Sequence, residues 1–177
     1  MGRPPERAPR GLFTLADAAR IIGEPRDRLA YWCAQAGANL VTPQVAPGIQ
    51  GGSRLLSERD LAKLAVIPKL LQAGIGHTLI ANMFTKANQA WWDLSTARDQ
   101  NPDWLEWIVL LLDSHFRPTW RLLLGVYEQG PSSRIGEGAL KSFEGILNGF
   151  MFHHGGMAGF HVVELSNLKR ALLERMK

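Results

Sequence analysis

The stretch FTLADAARIIGEPRDRLAYW, Phe13 to Trp32, constrains this chain more than any other. Thr14 and Asp17 form a Thr-x-x-Asp capping box, which marks a helix start. Leu15, Ala18, Ala19 and Ile22 follow at helical spacing and give that helix one apolar face. Gly23 stops it. Pro25 suits the first turn of a second helix, because the N–H it lacks would have no partner there. Leu29, Trp32, Cys33 and Ala36 form the second buried stripe, and Gly37 ends it. Two short helices joined by a tight glycine turn read as a helix-turn-helix. In such a unit the second helix enters the major groove and its exposed N-terminal residues meet base edges and phosphates. Arg26 and Arg28 occupy those positions, and Tyr31 lies close enough in helical phase to offer its phenol to the nucleic-acid backbone.

Charge agrees with that placement. The 177 residues carry 20 Lys/Arg and 16 Asp/Glu, a net +4. Residues 1–77 hold ten basic and six acidic side chains, and residues 78–177 hold ten of each, so the whole excess is N-terminal. A basic bias confined to one segment suits a polyanionic partner. The opening MGRPPERAPRG has charges and prolines without an apolar run behind it, so residues 1–11 read as a flexible basic arm, not a secretory signal. The longest strongly apolar run, Trp107 to Leu112, is far short of the ~20 residues of a membrane helix. The one cysteine, Cys33, permits neither an internal disulfide nor a multi-thiolate metal site, which points to a reducing cytoplasm.

Beyond the first two helices, residues 38–56 contain NLVT and SRLL, two β-prone pieces flanking a Pro/Gly loop around Pro43 to Gly52, and predict a small hairpin. Ser57 and Asp60 form a second capping box ahead of a helix carrying Leu61, Leu64, Ala65, Ile67 and Leu71. Pro68 falls inside that pattern and predicts a kink, or a break at Ile67. A further helix is expected near His77 or Thr78. Its Ile80, Phe84, Ala87, Trp91 and Leu94 are spaced four, three, four, three, which fits both a dimer seam and an ordinary core stripe. Asn101-Pro102 is a break. After it, Trp104, Trp107, Ile108, Leu111 and Leu112 predict a central helix that is apolar nearly all round, split at Pro118, with Trp120, Leu123, Leu124 and Tyr127 resuming the pattern. Ile135, Ala139, Phe143, Ile146, Leu147 and Phe150 predict another helical face, and Leu165, Leu168, Leu172 and Met176 a last one. The expected fold is therefore mainly α: a winged helix-turn-helix over residues 12–76, then a helical part over 77–177.

Other residues admit both a functional and a packing reading. Trp91, Trp92, Trp104, Trp107 and Trp120 could wall an effector pocket, while helical spacing equally suits a core. His153, His154 and His161 with Met151 and Met157 suggest soft-metal ligands, but adjacent histidines seldom aim at one ion, and a glycine-rich turn accounts for the segment. No metal or cofactor is expected. Cys33 beside Trp32 reads as a packed thiol and not a redox sensor. No nucleophile–base pair or phosphate-cradling loop appears, and GIGHT lacks the lysine of a P-loop, so no enzymatic activity is expected.

The segments FTLADAARIIG, PRDRLAYW and GGSRLLSERDLAKLAVIPKLLQAGIG, in that order, resemble the MerR family of winged helix-turn-helix regulators. The resemblance covers the first ~77 residues. It implies DNA contact by Arg26, Arg28 and Tyr31 on the recognition helix and phosphate contact by Arg54 at the wing. Two positions depart from the family pattern: Ala30 stands where an arginine is usual, and Leu56 where the wing ends in tyrosine. The family's long dimerisation helix would fall at His77 to Asp99, cut short by Pro102. What the resemblance implies is a sequence-specific transcriptional regulator that binds double-stranded DNA as a homodimer. The C-terminal part would pair subunits, sense a small-molecule effector or bind a protein. Two alternatives stand beside it: an architectural or DNA-assembly protein of phage or plasmid type, and a protein–protein adaptor without DNA affinity.

Overall fold

A computed structural model describes residues 11–34, 37–43, 55–94, 97, 106–115, 117–124, 127–129, 139–140, 145, 147–148, 151–152 and 155–177. Among them are five α-helices and two antiparallel sheets. The first sheet is a pair, β1 (Leu12–Phe13) and β2 (Leu56–Ser57). Helices α1 (Leu15–Ile22), α2 (Arg26–Cys33), α3 (Glu58–Gln72) and α4 (His77–Lys86) come next, then a 3-10 turn at Gln89–Trp92. The second sheet has five strands in the order β6-β5-β4-β3-β7, where β3 is Glu106–Asp113, β4 Pro118–Leu124, β5 Tyr127–Gln129, β6 Ala139–Leu140 and β7 Met157–Glu164. Helix α5 (Leu165–Arg175) follows β7 directly.

The helical reading of the C-terminal part needs correction: 106–113 and 118–124 are strands, and 157–164 is a third. An apolar run of eight can be a strand buried on both faces as well as a buried helix, and periodicity does not separate them. Here both faces are used. Ile108 and Leu110 pair with Leu122 and Trp120 and join the main core, while Val109 and Leu111 form a smaller cluster on the other face with Trp107, Leu147 and Met157 against it. Pro118 splits no helix. It opens β4, a place where a strand tolerates proline. The hairpin expected over 38–56 is also redrawn. Leu56–Ser57 pairs with Leu12–Phe13, whereas Leu40 and Val41 donate their N–H groups to the Trp32 carbonyl at 2.7 and 3.3 Å. Residues 44–54, the loop of that hairpin, lie outside the described residues.

The helix starts follow the sequence closely. Ser57 Oγ accepts from the Asp60 N–H at 3.2 Å and the Asp60 carboxylate accepts from Ser57 N at 2.8 Å, completing the box ahead of α3. The break expected at Ile67 is absent, and α3 runs through Pro68. Leu61, Leu64, Ile67 and Leu70 of that helix are fully buried, and such packing outweighs the ~3 kcal/mol a mid-helix proline costs. The four-three stripe belongs to the molecule's own core: Ile80, Phe84, Ala87 and Leu94 are buried there, and α4 ends at Lys86. One continuous cluster of buried residues runs from Ala18 to Leu172 and includes both the N-terminal helices and one face of the large sheet. No helix among the described residues is long and apolar enough to cross a membrane.

The β3–β4 connection is held by Asp113, 3% exposed. Its carboxylate accepts from Arg117 N (2.9 Å), His115 N (2.8 Å) and Arg117 Nε (2.7 Å). The Arg117 backbone N–H first, and then the other donors, hold this carboxyl below the usual aspartate range. A depressed carboxyl pKa contributes stability that is present above the unfolded aspartate value and lost as pH falls through the folded one. Asp113→Asn is therefore expected to flatten the acid limb of the stability–pH profile, checked by urea denaturation across a series of acidic buffers.

Candidate nucleic-acid interface

Helix α1 is fixed at both ends. Thr14 Oγ1 accepts from Asp17 N at 3.1 Å, and Asp17 Oδ2 accepts from Thr14 N at 3.1 Å. At the other end Gly23 sits at φ 83°, a left-handed conformation that suits glycine, with its N–H on the Ala19 carbonyl. Arg175, near the end of α5, donates from Nη1 to the carbonyls of Ile21 and Ile22 at 3.1 and 3.2 Å. These carbonyls lie in the last turn of α1, where a cation is favoured.

The turn Gly23-Glu24-Pro25 leads into α2, whose Leu29, Trp32 and Cys33 are 0, 2 and 4% exposed. That stripe anchors the helix. Arg26, Asp27, Arg28 and Tyr31 lie exposed on its other faces, and Tyr31 is 50% exposed. The chain then folds back so tightly that a Cβ at Gly37 would collide with the Tyr31 carbonyl oxygen. Arg28 Nη1 meets Glu24 Oε2 at 2.8 Å, one turn earlier. The Tyr31 ring lies 6.1 Å from the His77 ring at the start of α4. A groove of about 500 Å3 runs between α2 and α3, with Arg28, Tyr31 and Trp32 on one side and Pro68, Leu71 and Gln72 on the other.

The structure thus brings Arg26, Arg28 and Tyr31 together on one exposed helix. Arg54 lies outside the described residues, as do Trp104, His153 and His154. The two departures from the family pattern become clearer. Leu56 is 0% exposed on β2, so it serves the core and not the surface, and Ala30 is partly buried. The remaining tryptophans are not gathered into one pocket. Trp120 and Trp92 are fully buried in the main core, Trp91 is partly buried against it, and Trp107 is on the opposite face of the sheet. Cys33 is buried. His161 and Met157 lie on β7, and among the described residues no three His, Cys, Asp or Glu side chains form a group that could hold a metal.

Sequence reasoning missed a buried ion pair. Lys169 Nζ on α5 meets Glu106 Oε2 on β3 at 2.5 Å, with the two side chains 0 and 2% exposed. Burial lowers the Lys169 pKa, and the charges of Glu106 and Asp93 oppose that shift without cancelling it. Asp93 in turn accepts from Arg59 of α3 at 3.0 Å. The only signal in the sequence was a lysine one position past Leu168 in an apolar stripe. No family model matches the chain, and a search of curated proteins finds no match.

Proposed function

We propose that this protein binds double-stranded DNA through a winged helix-turn-helix of MerR-like type and acts in transcriptional regulation, with α2 in the major groove. The observation that supports this most is the division of α2. One side is locked into the core by Leu29, Trp32 and Cys33, and the exposed remainder carries Arg26, Arg28 and Tyr31 on a helix pinned by a glycine turn. β2 adds to it, because its pairing with β1 brings Leu56 and Ser57 back beside the start of α1. The positive balance of residues 1–77 suits a phosphate backbone.

Fluorescence anisotropy with duplex DNA against salt tests this. Arg26→Ala and Arg28→Ala are each expected to weaken binding and to lower the slope of log K against log salt by about 0.9 per lost phosphate contact. The same change is expected for Arg54→Ala if the wing touches a phosphate. Arg28 must release Glu24 before it can reach DNA, so Glu24→Gln is expected to act in the opposite direction. Exposed pairs are worth about 0.2–1 kcal/mol, which makes the gain up to about fivefold. Footprinting that shows an array of sites, not one operator, would favour the architectural role. Absence of DNA binding at low salt would overturn the proposal in favour of a protein adaptor, the reading that Leu56 and Ala30 permit.

A further inference from the structure

Exposed apolar surface is concentrated in one stretch of the described residues. Five large apolar side chains are exposed, and four of them, Met151, Phe152, Phe160 and Val162, lie within residues 151–162. Phe160 and Val162 are 44 and 45% exposed. They pair with Leu111 and Val109, so both project from β7 onto the outer face of the large sheet, away from α3 and α5. Leu147 covers part of that face from the segment that ends at Met151 and Phe152.

β7 is also the last strand on its side of the sheet: β3 is its inner neighbour, and no described strand lies beyond it. Long edge strands are usually protected by lysine, proline, inward charge or a bulge. β7 is eight residues of MAGFHVVE, with no lysine, arginine or proline, and its one irregularity is at the Met157 end. A groove of about 550 Å3 follows the other end, with His161 to Glu164 on one side and Lys69, Ala73 and Leu168 on the other.

We propose that a second copy of this chain pairs with β7 along this edge, antiparallel about a two-fold axis at His161, so that two five-stranded sheets become one continuous sheet. The strand is complementary to itself in this register. A two-fold axis normal to the sheet keeps each face on its own side, so Phe160 of each copy opposes Val162 of the other. Four exposed apolar side chains then cover one another. Ala158 and Gly159, the smallest residues of the strand, fall opposite Glu164 and Val163, at the end where the walls of the groove stand beside β7. Glu164 meets an alanine and not another carboxylate. An unrelated peptide would need this same pattern of small and large residues, and a second copy carries it already.

The interface does not depend on DNA binding, and its test contains no DNA, so the two readings fail separately. Sedimentation velocity of the full chain over a micromolar concentration range is expected to show a dimer. Val162→Lys is expected to make it a monomer with an unchanged circular dichroism spectrum, because Val162 is exposed and the protomer fold does not need it. Under mild oxidation His161→Cys is expected to form a covalent dimer across the axis, since directly opposed strand residues have Cα atoms about 4.5–5.5 Å apart, within disulfide reach. Thr85→Cys, exposed on α4, is the control, and the native Cys33 is buried. A wild type that stays monomeric overturns the proposal and leaves the edge to a different extended partner. A Val162→Lys dimer, or His161→Cys cross-linking no better than Thr85→Cys, also overturns it.

Discussion

Lys169→Met is expected to destabilise the fold by about 3–5 kcal/mol, the range for breaking a buried ion pair by removing one partner. The Glu106 carboxylate would stay at 2% exposure without the ammonium that meets it at 2.5 Å. The double variant Lys169→Met/Glu106→Leu is expected to recover most or all of that loss. The reason lies in the sign of the Lys169 shift. Burial lowers this pKa against the pull of the nearby acids, which marks desolvation as the largest influence on Lys169, and replacing a buried pair by apolar residues of similar volume is often neutral or stabilising. Replacing both partners removes the desolvation term together with the attraction. Urea denaturation of the two single variants and the double variant at one pH measures the cycle. A double variant as unstable as the singles would show that the pair contributes more than its charge balance implies.

Trp120→Ala is expected to cost a similar amount, about 3–5 kcal/mol, for a different reason. Trp120 is fully buried on β4, and its Nε1 donates to Asn82 Oδ1 of α4 at 3.3 Å. It fills the space between sheet and helices and carries one polar tie across it. Trp120→Phe keeps most of the ring and removes the N–H, so a loss of about 1–2 kcal/mol is expected, mainly from the Asn82 oxygen left without its donor. Thermal and chemical denaturation separate the two substitutions. Trp120 fluorescence is expected to change on unfolding, because the side chain is fully buried in the folded protein.

The N-terminal helices were legible in the sequence because their signals are local. Thr14 with Asp17, Ser57 with Asp60 and the left-handed Gly23 each specify backbone geometry within a few residues, and each is used in the structure as its chemistry predicts. Arg26, Arg28 and Tyr31 were legible for the same reason, since helical phase alone puts them off the apolar stripe. The C-terminal sheet was not. WIVLLL is apolar at every position, so it carries no period, and only strand neighbours distant in sequence decide that it is extended. Trp107 and Trp120 fit a helical stripe by spacing, yet they lie on opposite faces of a sheet whose alternation the run conceals. The Lys169–Glu106 pair joins residues far apart in the chain, and pairing at that range leaves no trace in local pattern.

The clasp of Arg175 on Ile21 and Ile22 has a consequence for the order in which the protein can be made. The two groups are separated by more than 150 residues, and α5 also supplies Leu165 and Leu172 to the core that α1 and α3 line. In a nascent chain emerging N-terminus first, the capping boxes of α1 and α3 act early because they are local. The core that α1 and α3 line is complete only once α5 has joined it. Loop closure over that span favours slow final docking over early commitment. The fixing of the last turn of α1, just ahead of α2, therefore waits for a residue more than 150 positions further along the chain.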